Sequence, residues 1–209
     1  MDKELAIKYV EDFVPKDSLE QKAREELLRY LKCEDKPSPQ PVADAVVLGL
    51  KEVCEFLLLS GCDVDVIDTD LDGSWWSPLM FAIESAREDI FYLLLEHGAD
   101  VNYCAIEQEQ CPLEVAAENG RTDMFFELVR RGAKLDWENY DEAIDYTFGY
   151  SKEELLSDAI FSRNERIACF LLEQGCDLDN QVLPGPESIR EFAKRENALD
   201  FLEQVESKK

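Results

Sequence analysis

The chain has 209 residues, of which 45% are hydrophobic and 33% are charged, so it carries enough apolar side chains to fold around a core. Its 47 Asp and Glu residues outnumber its 22 Lys and Arg residues and give a formal net charge of −25 at pH 7. This balance argues against binding to a nucleic-acid backbone or to an anionic membrane surface, and it permits a basic partner.

The distribution of apolar residues and cysteines predicts a compartment. The first residues lack the apolar core of a secretory signal, and there is no run of about 18 apolar residues that would predict a membrane span. The seven cysteines are an odd number and contain no CxxC pair, so they indicate buried thiols and neither a disulfide framework nor a zinc site. We therefore expect a cytoplasmic protein.

Two amphipathic helices are predicted in an N-terminal segment, residues 1–36. The first runs from Asp2 to Phe13 and ends before a proline, and the second begins at a capping box made by Asp17 and Glu20. A proline-rich stretch separates this segment from a second domain, residues 40–207. The segment either caps the helices that follow or forms a separate docking or dimerising pair, and the sequence leaves both possibilities open.

A repeat follows this segment and is found by four anchor glycines, Gly61, Gly98, Gly132 and Gly175. Apolar residues three, four and eight positions before each glycine form one helix face, and an Ala sixteen positions before it belongs to an earlier helix. Each repeat is therefore predicted to be a helix, a turn and a second helix that ends at the left-handed glycine. Because one helix pair cannot bury its apolar face alone, the repeats must stack.

Three stretches of the repeats carry a family signature. Residues 77–82 read Ser-Pro-Leu-Met-Phe-Ala, residues 111–117 read Cys-Pro-Leu-Glu-Val-Ala-Ala, and residues 94–102 read Leu-Leu-Glu-His-Gly-Ala-Asp-Val-Asn. They resemble the Thr-Pro-Leu-His-x-Ala signature and the second-helix ending of ankyrin repeats. The resemblance implies an all-α ankyrin-repeat solenoid of about four repeats with β-hairpin-like finger loops. It also implies a shortened C-terminal cap that includes residues 188–202.

Two repeats depart from the family at the turn between their helices. The family favours Gly there, and Gly49 and Gly120 fit, but Ala86 and Arg163 occupy the same position in the other two repeats. A residue with a side chain at a positive φ costs on the order of 1 kcal/mol, so Asn164 is an alternative carrier of that conformation.

Catalytic and metal-binding motifs are not found. The chain has a single histidine, His97, which lies in the repeat-ending motif, and it has no nucleophile elbow or phosphate-binding loop. Residues 68–73 fit the start of a calcium loop, but the twelfth position of that loop is Leu79, which cannot supply the required carboxylate. We therefore predict no enzyme activity, no metal ligands and no cofactor.

The finger loops carry the predicted binding site. The first finger is about three residues longer than the second, and the third is about nine residues longer, and insertions of this kind often lie on a binding face. The two long fingers combine acids with aromatic rings, which supply contact area and steer a basic partner. The candidate partner-binding residues are Asp70, Asp72, Trp75, Trp76, Tyr103, Trp137, Tyr140, Asp141 and Tyr146.

Two points about this surface stay open in the sequence. The long finger either exposes its rings or folds back over them as a small helix at 141–146. The family resemblance adds the concave side of the first helices as a contact surface, with Phe81, Ser85, Glu118 and Asn119 as candidates.

The predicted function is that of a monomeric, non-catalytic protein-interaction module that binds a protein partner, in particular a basic one. A sharper form of this hypothesis is an inhibitor or immunity-type protein that blocks a basic enzyme or toxin. The alternative is an adaptor or host-directed effector scaffold whose N-terminal helices form a second docking surface.

Overall fold

The computed structural model describes residues 1–32, 41–65, 76–103, 110–141, 146–179 and 188–207, and for 137–141 and 146–149 it describes the backbone alone. Helices and one two-stranded hairpin occupy these residues. In chain order they are α1 (Lys3–Asp12), α2 (Ser18–Leu31), α3 (Pro41–Leu48), α4 (Lys51–Leu59), α5 (Pro78–Glu84), α6 (Glu88–Glu96), α7 (Pro112–Glu118), α8 (Thr122–Arg130), β1 (Trp137–Asp141), β2 (Tyr146–Tyr150), α9 (Lys152–Phe161), α10 (Glu165–Glu173), α11 (Ile189–Arg195) and α12 (Leu199–Glu206). The chain divides into two compact parts, Met1–Gln108 and Glu109–Lys209.

The two predicted N-terminal helices are confirmed, and their caps explain where they begin. The Asp2 carboxylate accepts the Leu5 N–H at 2.8 Å at the start of α1. At the start of α2, Asp17 accepts the Glu20 N–H at 2.8 Å, and the Glu20 carboxylate accepts the Lys16 N–H at 2.6 Å. These bonds satisfy N–H groups that have no partner inside the helix.

In the N-terminal part, the helices form two layers. Helices α2, α3 and α5 pack in sequence in one layer, while α1 and α6 each pack against α4 in the other. Helix α2 therefore lies where the first helix of a preceding repeat would lie, and α1 lies where its second helix would lie. In the chain, however, α1 comes before α2. All eight residues of α3 are buried. The predicted boundary near residues 36–40 lies outside the described residues.

Specific polar contacts fix the N-terminal helix pair. The Arg24 guanidinium donates to the carbonyl oxygens of Val10 at 3.0 Å and Glu11 at 2.8 Å, which joins α2 to the end of α1. The hydroxyl of Tyr30 lies 3.2 Å from the sulfur of Cys62, just after α4. The pair is thus tied to the first repeat by side chains as well as by apolar packing.

In the C-terminal part, the same two layers recur. Helices α7, α9 and α11 pack in sequence, and so do α8, α10 and α12. The Asn164 side-chain amide donates to the Gly120 carbonyl at 3.2 Å and to the Thr122 hydroxyl at 2.6 Å, which links the turns of two successive repeats. The pair α11–α12 agrees with the predicted shortened last repeat, and its apolar residues Ile189, Ala193 and Leu202 are buried.

The prolines, alanines and glycines that recur in the sequence occupy the expected positions in the helix pairs. The prolines at 41, 78 and 112 each open a first helix, and the four anchor alanines are fully buried in the first helices. The anchor glycines have φ values of 91°, 88°, 96° and 87° and end the second helices. A positive φ at these sites is the conformation that glycine adopts at least cost.

In two repeats, the turn between the first and second helix has a residue other than glycine in the left-handed conformation. Ala86 and Arg163 themselves adopt positive φ values of 53° and 52°. Asn164 has φ −90° and caps α10 by accepting the Ile167 N–H at 3.2 Å, so the alternative that Asn164 takes the left-handed conformation is wrong. The Asn164 side chain serves the cap and the neighbouring repeat, and both roles require an extended backbone.

The long third finger is an antiparallel hairpin. Its register pairs Trp137 with Tyr150 and Asp141 with Tyr146, so both ends of the alternative helix over 141–146 are extended. The residues between them, 142–145, lie outside the described residues. Part of the predicted insertion extends α9, which begins at Lys152, almost one turn before the register of the other first helices. Ser151 and Glu154 form a capping box there.

Among the described residues, none of the helices combines the length and apolar character needed to cross a bilayer.

Candidate functional site

The fingers begin with turns that use acids of the repeat itself. In the fingers after Gly61, Gly98 and Gly175, the Asp two positions beyond the glycine accepts the N–H of the residue two further on, at 3.0, 2.8 and 3.0 Å. Lys134 stands at this position in the remaining finger, where Asp136 accepts the Lys152 N–H at 2.9 Å. These acids therefore shape the fingers as Asx turns do.

Asp65 ties the first finger to the second. Its two carboxylate oxygens accept the Asp100 N–H at 3.0 and 3.1 Å. Burial raises the pKa of Asp65, the Asp100 N–H lowers it, and the nearby carboxylates of Asp100 and Asp63 raise it further. Part of the negative charge of the first finger is thus used inside the molecule.

The first finger contains four of the predicted binding residues. Asp70, Asp72 and Trp75 lie outside the described residues. Trp76 is half-buried, and its ring meets Phe81 edge-on with centroids 5.6 Å apart. Phe81 is only 2% exposed, so the expectation that it contributes to a contact surface is wrong: its ring fills the core beneath Trp76.

Tyr103 lies in the second finger and is half-buried. Its N–H donates to the Asp100 carbonyl at 3.3 Å, so the backbone of Tyr103 continues the turn that Asp100 begins. This position places Tyr103 at the start of the finger, beside the contact between Asp65 and Asp100.

The four remaining residues of the predicted binding site all lie on the hairpin formed by β1 and β2. Trp137, Tyr140 and Asp141 lie on β1, and Tyr146 lies on β2 opposite Asp141. At the base of the hairpin, Tyr150 is 6% exposed and its hydroxyl donates to the Lys134 carbonyl. The ring of Tyr150 is therefore packed against the base of the finger.

A second group of acids lies on neighbouring first helices, and we name it the acid cluster. It consists of Glu114 and Glu118 on α7 and Glu154 and Asp158 on α9. Each pair is separated by four residues, which places both members on one side of their helix. Since α7 packs against α9, the two pairs come together across that contact.

Burial and like charge both oppose the ionisation of two members of the acid cluster. Burial raises the pKa of Glu114 to about 7, against the lowering effect of hydrogen bonds from Cys111, and Glu154 and Glu118 raise it further. Burial also raises the pKa of Asp158 well above its usual range, followed by repulsion from the other three carboxylates of the cluster. These shifts are the expected result of enclosing like charges together.

Three members of the acid cluster have polar partners inside the chain. Glu114 accepts the Cys111 N–H at 2.8 Å, and Glu154 accepts the Ser151 N–H at 2.7 Å, each closing a capping box. Glu118 accepts the Gln110 side chain at 3.5 Å. Within the described part of the chain, no hydrogen-bond donor or cation reaches the carboxylate of Asp158.

Sequence reasoning singled out only Glu118 from this cluster. The available signal was the recurrence of acids four residues apart on two successive first helices, at positions that stacking of the repeats brings together. The other two polar residues expected on this side, Ser85 and Asn119, are exposed, as is Glu118. Among the described residues, no three Asp, Glu, His or Cys side chains are placed to share one metal ion.

Comparison with known proteins adds one finding. Residues 42–139 match a family model described as ankyrin repeats in three copies. No curated protein matches the chain. The matched range ends inside β1, yet the helix pair α9–α10 beyond it repeats the same landmarks, with a buried Ala159 and a left-handed Gly175.

Proposed function

The chain belongs to the ankyrin-repeat family, a class of all-α repeat proteins that generally mediate contacts between proteins, and from this premise we propose that it binds a basic protein partner without catalysing a reaction. The predicted fold class is confirmed by that match and by the stacked helix pairs. What the proposal adds is the chemistry of the partner and the surface that holds it.

The observation that carries the proposal is the acid cluster on α7 and α9. Four carboxylates lie together there, and burial and mutual repulsion oppose the ionisation of Glu114 and Asp158. Such an arrangement costs stability in the free protein at neutral pH, because like charges that are partly removed from water repel one another. A positively charged surface that covers the cluster would remove this cost, so the arrangement favours a basic partner.

The fingers supply the remaining contact surface in this proposal. Trp76 and Tyr103, together with the hairpin residues Trp137, Tyr140 and Tyr146, provide the large rings that dominate protein interfaces. In the sequence of the same fingers, Asp70, Asp72 and Asp141 add negative charge and Trp75 adds a further ring. The proposed mechanism has two parts: the acids accelerate encounter with the basic partner, and the rings then slow its release.

In its sharper form, the proposal is that the chain inhibits its partner. A basic patch on an enzyme or toxin commonly serves to hold an anionic substrate, and an acidic protein bound there would exclude that substrate by occupying its place. The expected result is competitive inhibition that weakens as the salt concentration rises.

An adaptor role is favoured by one observation in α1. Leu5 and Tyr9 on α1, and Met1 just before that helix, follow one another at four-residue spacing and are 42%, 42% and 44% exposed. A second partner that binds an apolar helix face would cover them. Helix α2 is different, because it packs against α3.

The experiment is an affinity capture from native lysate with three immobilised baits at low and moderate salt. They are the parent chain, the finger variant Tyr140→Ala/Tyr146→Ala, and the control variant Tyr92→Ala/Phe161→Ala. The control removes two rings that are exposed on helices α6 and α9, outside the fingers. Thermal melting of all three baits first establishes that they fold alike.

The proposal expects one basic protein in stoichiometric amount on the parent and the control, lost from the finger variant and lost with added salt. An assay of that protein's activity with and without the chain then tests inhibition. A partner set that ignores both the finger variant and the salt would contradict the proposal and favour the adaptor role.

A further inference from the structure

The inference starts from the large apolar side chains that stay exposed near the start of the chain. Among the described residues there are eight such side chains, and four of them belong to the first 14 residues: Met1, Leu5, Tyr9 and Val14. The other four lie singly on α4, α6, α9 and α12. Scattered apolar residues are normal on a protein surface, whereas a group of them on one segment indicates a contact surface.

Leu5 and Tyr9 form the centre of this group. Their spacing of four residues places them side by side on α1, and each is 42% exposed. The next residue in each case, Ala6 and Val10, is fully buried where α1 packs against α2 and α4. Helix α1 therefore has an apolar stripe that the described part of the chain covers only in part.

Helix α2 lies beside α1, and polar contacts already occupy its exposed side. Gln21 donates to Glu25 there, and Arg29 donates to both carboxylate oxygens of Glu26 at 2.7 and 2.6 Å. Pairs of this kind stabilise a helix surface that stays in water. The exposed apolar surface of this helix pair therefore lies on α1 and the residues next to it.

The distribution of charge indicates what covers the stripe. Residues 1–32 contain seven Lys and Arg and eight Asp and Glu, so their net charge is −1, while the remaining residues carry −24. Two copies of the chain repel each other over most of their surface, and the repulsion is weakest where both present a balanced segment. A basic partner would instead be attracted more strongly to the acidic remainder of the chain.

We propose that α1 is the interface of a symmetric dimer, in which the stripe of one copy covers the stripe of a second copy. In an antiparallel pair with its two-fold axis at residue 7, Leu5 faces Tyr9 of the second copy. Lys8 then lies two residues, or about 3 Å along the helix, from Glu4 of the second copy. Both residues are exposed, and the symmetry forms this pair of opposite charges twice.

The size of the contact sets the expected affinity. One helix from each copy buries less area than the interface of a stable dimer, so we expect a dissociation constant on the order of 100 µM. Salt should strengthen the dimer, because it screens the repulsion between two acidic copies, whereas it should weaken the binding of a basic partner to the fingers. The dimer differs from the monomer that the sequence predicts, since the sequence does not show which apolar residues stay exposed.

The test is sedimentation velocity of the full chain between about 10 µM and about 1 mM, at about 50 mM and about 500 mM NaCl. The interface variant is Leu5→Ala/Tyr9→Ala. The matched control, Leu59→Ala/Tyr92→Ala, removes the same residue types from exposed positions on α4 and α6. We expect the parent and the control to dimerise alike and the interface variant to bind about tenfold or more weakly. Thermal melting first establishes that all three fold alike.

A charge swap tests the orientation of the two helices. Lys8→Glu places like charges next to each other across the axis and should weaken the dimer about threefold or more. Glu4→Lys/Lys8→Glu restores opposite charges across the axis and should recover the affinity of the parent. Failure of this second variant to recover it would overturn the antiparallel arrangement.

The remaining outcomes decide on the dimer itself. A parent chain that stays monomeric up to about 1 mM at both salt concentrations would overturn it. Equal weakening by the interface variant and the control would also overturn it, because the contact would then lie elsewhere. If the chain is monomeric and a captured protein is lost only from Leu5→Ala/Tyr9→Ala, the stripe serves the adaptor role. The proposed function does not depend on these results, since it is tested by capture on the fingers.

Discussion

Ala86 shows how a single residue can store strain in this fold. It ends the first helix of its repeat with φ 53°, and its side chain is exposed. Residues with a Cβ pay a steric cost in the left-handed region, whereas glycine adopts it freely. The equivalent residues Gly49 and Gly120 avoid this cost.

We predict that Ala86→Gly raises the free energy of unfolding by about 0.5–1 kcal/mol. The substitution removes the steric strain of Ala at positive φ, and this gain exceeds the cost of the larger conformational entropy that Gly gives the unfolded chain. Urea denaturation measures the change. Ser85→Gly, next to it at φ −74°, is the control and should destabilise by a similar amount. A loss of stability in Ala86→Gly would show that the conformation carries no strain.

Glu114 makes the stability of the fold depend on pH. Its pKa is raised to about 7, so between its ordinary value of 4.5 and about pH 7 the folded state binds a proton that the unfolded state has lost. The contribution of this group is therefore most favourable below pH 4.5 and is lost as the pH rises through 7.

We predict that Glu114→Gln is more stable than the parent at pH 8 by about 1–3 kcal/mol, and that the difference shrinks toward pH 4. The amide oxygen of the new side chain can still accept the Cys111 N–H, so the helix cap is kept. Chemical denaturation across this pH range measures the effect. Glu191→Gln changes the same capping-box position on α11, where the side chain is exposed, and should show no such trend. An equal trend in both variants would contradict the prediction.

At the scale of the element, the packing of helix α2 can be used to test whether the N-terminal segment caps the repeats or forms a separate docking pair. Leu27 is fully buried in α2, which packs against α3, whereas Leu5 on α1 is 42% exposed. If the segment caps the repeats, the two leucines should differ sharply in their effect on stability.

We predict that Leu27→Ala destabilises the chain by about 2–5 kcal/mol and that Leu5→Ala changes stability by less than about 0.5 kcal/mol. Thermal and urea unfolding of both variants provide the comparison. A small effect of Leu27→Ala on the unfolding of the repeats would instead indicate a separate docking pair.

The elements also show where sequence reasoning works and where it stops. Spacing from the anchor glycines located the helix pairs, because burial of one helix face imposes a period that can be read in the sequence. The spacing counts residues 152–154 as part of the long finger, but they belong to α9, because Ser151 and Glu154 form a capping box before the register of the other first helices. For the turn at residues 163–164 the sequence leaves Arg163 and Asn164 open, and the structure gives Arg163 the left-handed conformation although it carries a side chain.

The acid cluster is another feature that the sequence alone does not predict. Glu114, Glu154 and Asp158 are unremarkable among 47 acids until stacking brings α7 against α9. The sequence does indicate which residues face outward on each first helix, but the distance between two repeats depends on their packing. The finger residues are predicted from composition, which does not show how far a ring is packed; the ring of Trp76 is half-buried against Phe81.

For the molecule as a whole, a net charge of −25 on 209 residues means substantial self-repulsion in the folded state. We predict that the melting temperature rises by a few degrees between about 20 mM and about 500 mM NaCl, because salt screens these charges. The same series near pH 4.3, the isoelectric point of the sequence, should show no rise. A melting temperature that falls with salt at pH 7 would mean that attractive ion pairs dominate.

The complete burial of α3 has a consequence for how the protein is made. An eight-residue helix with no exposed side chain is a hazard when it leaves the ribosome alone, because such a surface invites aggregation. Here α2, which covers α3, is synthesised immediately before it. A nascent chain can therefore cover one side of this helix as it emerges, before α4 and α5, which pack against its other sides, are made.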